Sequence, residues 1–271
     1  MPKNHPVSLC SGRWSTSFRL LITCVLFCIS LSALPVFASD SACSTSEPKS
    51  NWSGKLTLAS DYVFRGESET ADGDIPAVQA TVTWSHSSQW YAGLFVSTNK
   101  FKSSPDVDSV VAPYVGKSGS LSFAGLDYNV FVFHYAYPNS RGLDYTELWM
   151  YLSKSFDQWG ISGEVTPTLN DWFGVDGWSG VNYALHPSYQ ISESMKLSGS
   201  FGYQALEGKG AEGWQHWNLG VNKNFKTEAG ALTLDLRYHD SDIREGHDVY
   251  GHPEGLEIFD ERLVIGASLS F

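Results

Sequence analysis

Nine charged residues fall in or directly after predicted strands, each beside at least one apolar or aromatic neighbour: Lys55, Asp61, Arg65, Glu147, Glu164, Lys196, Asp235, Arg237 and Arg262. Side chains alternate along a strand with period two, so these charges take the face opposite to residues such as Leu56, Leu58, Leu148, Leu234, Leu236 and Leu263. His186, His216 and His239 keep the same phase. Charged side chains of both signs around an aqueous interior sort small solutes by sign. The same set, paired off, would instead fill a narrow interior and block it.

Two other chemistries are weaker. His239, His247 and His252 stand among Asp240, Asp242, Glu245, Asp248 and Glu254, and imidazole with carboxylate suits a transition metal. Their spacing matches no compact ligand motif, so the expectation is a solvated acidic loop and no metal site. Glu67, Glu69, Asp72 and Asp74 repeat the acidic theme, for which diffuse Mg²⁺ or Ca²⁺ bridging to anionic lipid head groups fits better than a cage. His134, in FVFHYAY, is the histidine placed to face outward as a base for a nucleophile. No Gly-x-Ser-x-Gly elbow accompanies it, and no catalytic residue is assigned. No cofactor is expected.

The elements that must position the charges are strands. From Gly54 the chain divides at turn residues into twelve segments, with no window that keeps a 3.6-residue apolar period for three turns. They are predicted at 54–64, 76–86, 90–99, 107–117, 121–137, 144–154, 159–168, 181–191, 195–205, 214–224, 231–240 and 260–271. The segments 90–99, 107–117 and 121–137 are apolar on both faces, which leaves their inward and outward phase open. Long and short connections alternate, although FKTEAG blurs the contrast, as in outer-membrane barrels with tight turns at one end and long loops at the other. Pro113, Pro167 and Pro187 inside predicted strands call for bulges or nearer strand ends. Trp84, Trp90, Trp159 and Trp217 lie near strand ends, where aromatic girdles anchor a barrel.

The first 38 residues read as an export signal: Lys3, Arg13 and Arg19, an apolar Leu20 to Leu34, and Val36-Phe37-Ala38 before the cut. Residues 39–53 form a Ser-rich tail, and 54–271 a single barrel domain. Cys10, Cys24 and Cys28 leave with the signal, so Cys43 remains alone and no internal disulfide is expected. The 18 Lys/Arg and 29 Asp/Glu of the full chain lose only Lys3, Arg13 and Arg19, for a net of −14. That excludes a nucleic-acid binder, which needs a basic footprint. Ten Trp, thirteen Tyr and fifteen Phe exclude a disordered acidic segment.

The opening LTLASDYVFRGES, the following PAVQATVTWSHSSQWYAGLFVS, the aromatic run YNVFVFHYAYP and a last strand closing on Phe271 resemble the TorF family of porins, over essentially all of 52–271. The resemblance implies an outer-membrane β-barrel with a channel role and no established substrate. Together these readings give one expectation: a transmembrane, up-and-down antiparallel barrel of twelve strands in the bacterial outer membrane. It would be a passive channel for small hydrophilic solutes or ions, with an acidic mouth favouring cations or neutral species. The nine charges would line the passage, and the first strand would carry Tyr62 and Phe64 to an outer girdle. Asp61 would find its partner across the seam at Arg262. Expected partners are outer-membrane lipid and lipopolysaccharide, small solutes, and the barrel assembly machinery through Phe271; nucleic acid is not among them. The alternatives are a phospholipase-like barrel enzyme and a plugged structural or adhesive barrel.

Overall fold

Leu58 and Leu263 face outward because their strands alternate, and the same alternation runs round a closed wall. The structure, a computed structural model, describes residues 51–102, 104–243 and 256–271. The expected signal segment 1–38, Cys43 and most of the 39–53 tail, and His247 and His252, lie outside the described residues.

The first wall strand is β1 (Trp52–Ala59), and a small inner hairpin follows, β2 (Val63–Phe64) and β3 (Glu67–Ser68). The wall resumes with β4 (Ala77–Ser85), β5 (Trp90–Thr98), β6 (Ser109–Leu121), β7 (Leu126–Tyr135) and β8 (Tyr145–Phe156). It continues through β9 (Trp159–Pro167), β10 (Ser179–Gln190), β11 (Met195–Glu207), β12 (Trp214–Thr227), β13 (Gly230–Ser241) and β14 (Arg262–Ser270). Neighbours in the wall are neighbours in the chain, and β1 pairs with both β4 and β14, which closes a twelve-stranded antiparallel meander. Closure leaves no unpaired sheet edge. At the seam, Leu58 sits opposite Val78 on one side and Ala267 on the other. Phe271 ties off the chain: its amide donates to the Gly54 carbonyl at 3.0 Å, and its carbonyl accepts from Gly54 at 2.8 Å. Its ring covers Gly54, where a Cβ would come within 2.5 Å of it.

Leu94, Val130, Leu152, Ile161, Leu185, Leu219, Leu234 and Ile265 are exposed on the outer wall. Trp52, Trp90 and Trp159 are exposed at the end where the short turns lie. The Asp157–Gln158 and Glu228–Ala229 turns hold two residues each, because β12 extends through Thr227 and removes the ambiguity of FKTEAG. At the opposite end the connections are long, and a core of Val107, Val110, Tyr137, Tyr145, Trp172, Trp214, Ile243 and Phe259 fills the space between them.

Three expectations change. The first strand stops at Ala59 rather than Phe64, and the chain leaves the wall to fold inside the barrel. Tyr62 and Phe64 therefore pack among interior rings and not in an outer girdle. The open phase of β5, β6 and β7 resolves with Tyr91, Phe95, Tyr114, Phe131, Phe133 and Tyr135 inward; both faces read as apolar because the inner wall there is itself aromatic. The prolines cause no bulge. Pro167 ends β9; at Pro113 and Pro187 one ladder lapses and resumes in the same register, from Val111↔Ala136 to Tyr114↔Phe133 and from Leu185↔Phe201 to Ser188↔Ser198.

Candidate functional site

The inner hairpin turns on Arg65-Gly66, both left-handed at φ 52° and 84°. Two positive φ values in a two-residue loop match the twist of the flanking strands, and glycine takes the second at no steric cost. At Arg65 the conformation costs about 1–2 kcal/mol, so its surroundings must hold it. They do. Arg65 Nη1 donates to Glu147 Oε1 at 2.8 Å and to Gln204 Oε1 at 3.0 Å, and Nη2 to Glu147 Oε2 at 3.2 Å. Trp214 Nε1 donates to the Arg65 carbonyl at 2.8 Å. The guanidinium carbon also lies 4.5 Å from the centre of Phe64 and 5.1 Å from that of Trp149. A buried bidentate pair with rings on its faces is the strong form of this interaction. Since Glu147 stands on β8, Gln204 on β11 and Trp214 on β12, the hairpin bridges the barrel interior. Its tip is tight: a Cβ on Gly66 would lie 3.1 Å from the Cβ atoms of His216 and Ser241.

The root of the folded-in segment is a second cluster. Asp61 accepts from Ser68 Oγ at 2.8 Å, from Thr70 Oγ1, and from Arg262 Nη1 at 2.8 Å. The seam pairing expected for Asp61 is thus present, and Arg262 also meets Asp72 at 3.0 Å. Glu69 is buried and accepts from Asn99 Nδ2 at 2.8 Å. Burial pushes its carboxyl well above the ordinary range, with the Glu67 charge adding and the Asn99 bond opposing. For Arg65, burial opposes the charge, but Glu147 outweighs it and holds the guanidinium above its ordinary value. Asp74 meets Lys100 at 3.1 Å.

The other expected charges divide as follows. Glu164 accepts from Asn182 Nδ2 at 2.7 Å and from Thr166 Oγ1, and His186 Nε2 lies 2.9 Å away. Arg237 grips Asp235 through two 3.1 Å bonds and also donates to Asn218 and Ser198. Lys196 borders the interior cavity near the short turns, and Lys55 is exposed near that same end. His216 Nε2 lies 2.8 Å from Asn182 Oδ1. His134 faces outward beside Thr146 Oγ1 at 2.9 Å. No group of three metal-ligating side chains forms among the described residues. Sequence reasoning missed Gln204, Trp214 and Asn182 as partners. The period-two phase gives their direction, but only the folded-in Arg65 gives Gln204 and Trp214 something to hold.

A cavity of about 610 Å³ extends from Arg65 and Gly66 past Glu164, Ser200 and Arg237 to Ser155, Ser188 and Lys196. A second, of about 410 Å³, lies against the aromatic side of the wall, and Phe64 and Trp149 border both.

A family model described as bacterial protein of unknown function, Gcw_chp, matches residues 44–270. No curated protein matches in sequence. Among solved structures, the KdgM porin is similar at TM-score 0.51 and 6% identity, over 81% of this chain and 99% of that one. A KdgM porin in complex with disordered oligogalacturonate gives 0.50 at 6%, over 81% and 98%. The NanC porin gives 0.49 at 10%, over 81% and 98%. At these identities the likeness to the KdgM structures is one of fold alone: a closed antiparallel β-barrel.

Proposed function

The chain belongs to the Gcw_chp family of bacterial proteins of unknown function, and we propose that it is an outer-membrane channel, a passive route for small hydrophilic solutes narrowed from within by the β2–β3 hairpin. The observation that carries this reading is the cavity of about 610 Å³, lined by both polar and apolar groups, that runs from the hairpin tip toward the short turns inside a wall whose outer face is apolar. A closed sheet with exposed Leu, Ile and Val outside and polar groups inside suits lipid around it and water within. The short turns then face the periplasm, and the long connections face out toward lipopolysaccharide. The nine charges border the passage or its constriction, mostly as pairs, so selection by sign is weak. The TorF-like opening and closing segments, the signal cut after Ala38, and Phe271 as the mark read by the barrel assembly machinery belong to the same proposal.

Two alternatives have their own observations. The packed core at the long-loop end favours a plugged barrel with a structural or adhesive role. The His134–Thr146 contact is all that favours a phospholipase-like enzyme, and it brings no serine. Purified protein in planar bilayers tests the channel: discrete conductance steps are expected. A silent bilayer from heat-modifiable, folded protein favours the plug, and fatty-acid release from phospholipid vesicles favours the enzyme.

A further inference from the structure

The barrel interior has two unlike sides. Along β5 to β8 it is built of rings: Tyr114 stacks on Phe133 at 5.7 Å between centroids, and Phe131 on Trp149 at 5.7 Å and 7°. Two glycines make the rings lie flat. A Cβ on Gly93 would come within 2.4 Å of the Tyr114 ring, and one on Gly116 within 2.6 Å of the Tyr91 ring. Covering a strand glycine with a ring stabilises a sheet by itself; it also lays one ring face on the wall and leaves the other toward the interior. The polar atoms on this side sit at its edge, where Tyr91 donates to Asn129 and Tyr114 bonds Thr83. Along β11 to β13 the interior is hydroxyl, amide and guanidinium: Ser198, Ser200, Asn218 and Arg237, joined to each other and balanced by Asp235.

An apolar wall beside water costs roughly 25 cal/mol per Å² of apolar surface until something apolar covers it. A small ion does not cover it. A wholly apolar solute does, but strips water from the Ser, Asn and Arg groups opposite without replacing those hydrogen bonds. A pyranose ring meets both demands, with a C–H face for the rings and a rim of hydroxyls that donate and accept. The charges opposite are paired, so the ring need carry none.

We propose that the cavity toward the short turns binds neutral saccharide rings between Trp149 and Tyr151, where the ring stack reaches it, and the hydroxyl–amide wall, all of which line that one cavity; the inference rests on the channel reading and names its solute class. The test is calorimetric titration of the folded barrel in detergent with cellotriose, with glycerol and benzyl alcohol as the polar and apolar comparisons. Saturable binding of cellotriose, tighter than either comparison, is expected. Tyr151→Leu, which loses the flat ring that borders the cavity, should weaken it roughly three- to tenfold. Asn218→Ser should weaken it from the other wall, and a heat-shift gel verifies that each variant is folded. No saturable heat with cellotriose, tighter binding of benzyl alcohol, or unchanged affinity in both folded variants overturns the proposal. Equilibrium binding does not need conduction. A barrel that conducts without binding therefore sinks this inference alone, whereas one that binds in a silent bilayer supports the site and sinks the channel.

Discussion

Both terminal nitrogens of Arg65 are engaged, by two carboxylate oxygens and an amide oxygen, and the guanidinium lies against Phe64 and Trp149. Removing one partner of such a buried pair strands the other, at a cost of about 3–5 kcal/mol. Arg65→Ala is therefore expected to lower the temperature of the heat-modifiability transition and to free the hairpin. Glu147→Gln should do the same less severely, since an amide still accepts one bond; an unchanged transition in both would refute the latch. Glu69 gives a pH dependence whose sign is fixed. Its folded carboxyl holds a proton above the ordinary value of about 4.3, so the stabilisation is full below that value and declines as pH rises through the raised one. Hydrogen exchange at the hairpin amides, beyond the intrinsic rise, should speed up as pH increases, and Glu69→Gln should flatten that excess. Identical excess in both proteins would contradict it. The sequence discloses that Arg65 lies on the charged face, but its partners are set by tertiary distance, which alternation does not encode.

The β2–β3 hairpin carries Arg65 into the barrel interior, and its signal is present in the sequence. Arg65-Gly66 is a two-residue turn of the kind that joins antiparallel strands, yet LTLASDYVFRG reads as one run because the hairpin arm continues the phase of β1. The wall strands were far more legible: every one of the twelve expected segments overlaps a strand of the barrel. Their phase failed where both faces are apolar, at β5 to β7, since a pattern of two kinds of residue cannot orient a strand whose inner face is also oily. The glycines beneath the rings carry a stability expectation. Gly116→Val should force Tyr91 and Phe131 off the wall, where a Cβ would already come within 2.6 Å of both. It should cost about 1–3 kcal/mol by overpacking, read as earlier heat unfolding, while Val115→Leu on the exposed outer face should leave unfolding unchanged.

Taken whole, a wall with an apolar outer face encloses an interior that is filled at the long-loop end and hollow toward the short turns. Fold, strand count and loop asymmetry follow from alternation and turn chemistry, both local and so both legible. The filling of one end is non-local: it depends on segments 60–76 and 168–178 returning into the barrel, for which composition offers no period. On the channel reading, the hairpin latched by Arg65 sets the width of the passage. The most direct test is single-channel conductance in planar bilayers of the full barrel beside a variant with Val63–Ser68 replaced by a short Gly-Ser link. Small discrete steps are expected from the first and severalfold larger steps from the second. Equal conductance from two folded barrels, or silence from both, would contradict it.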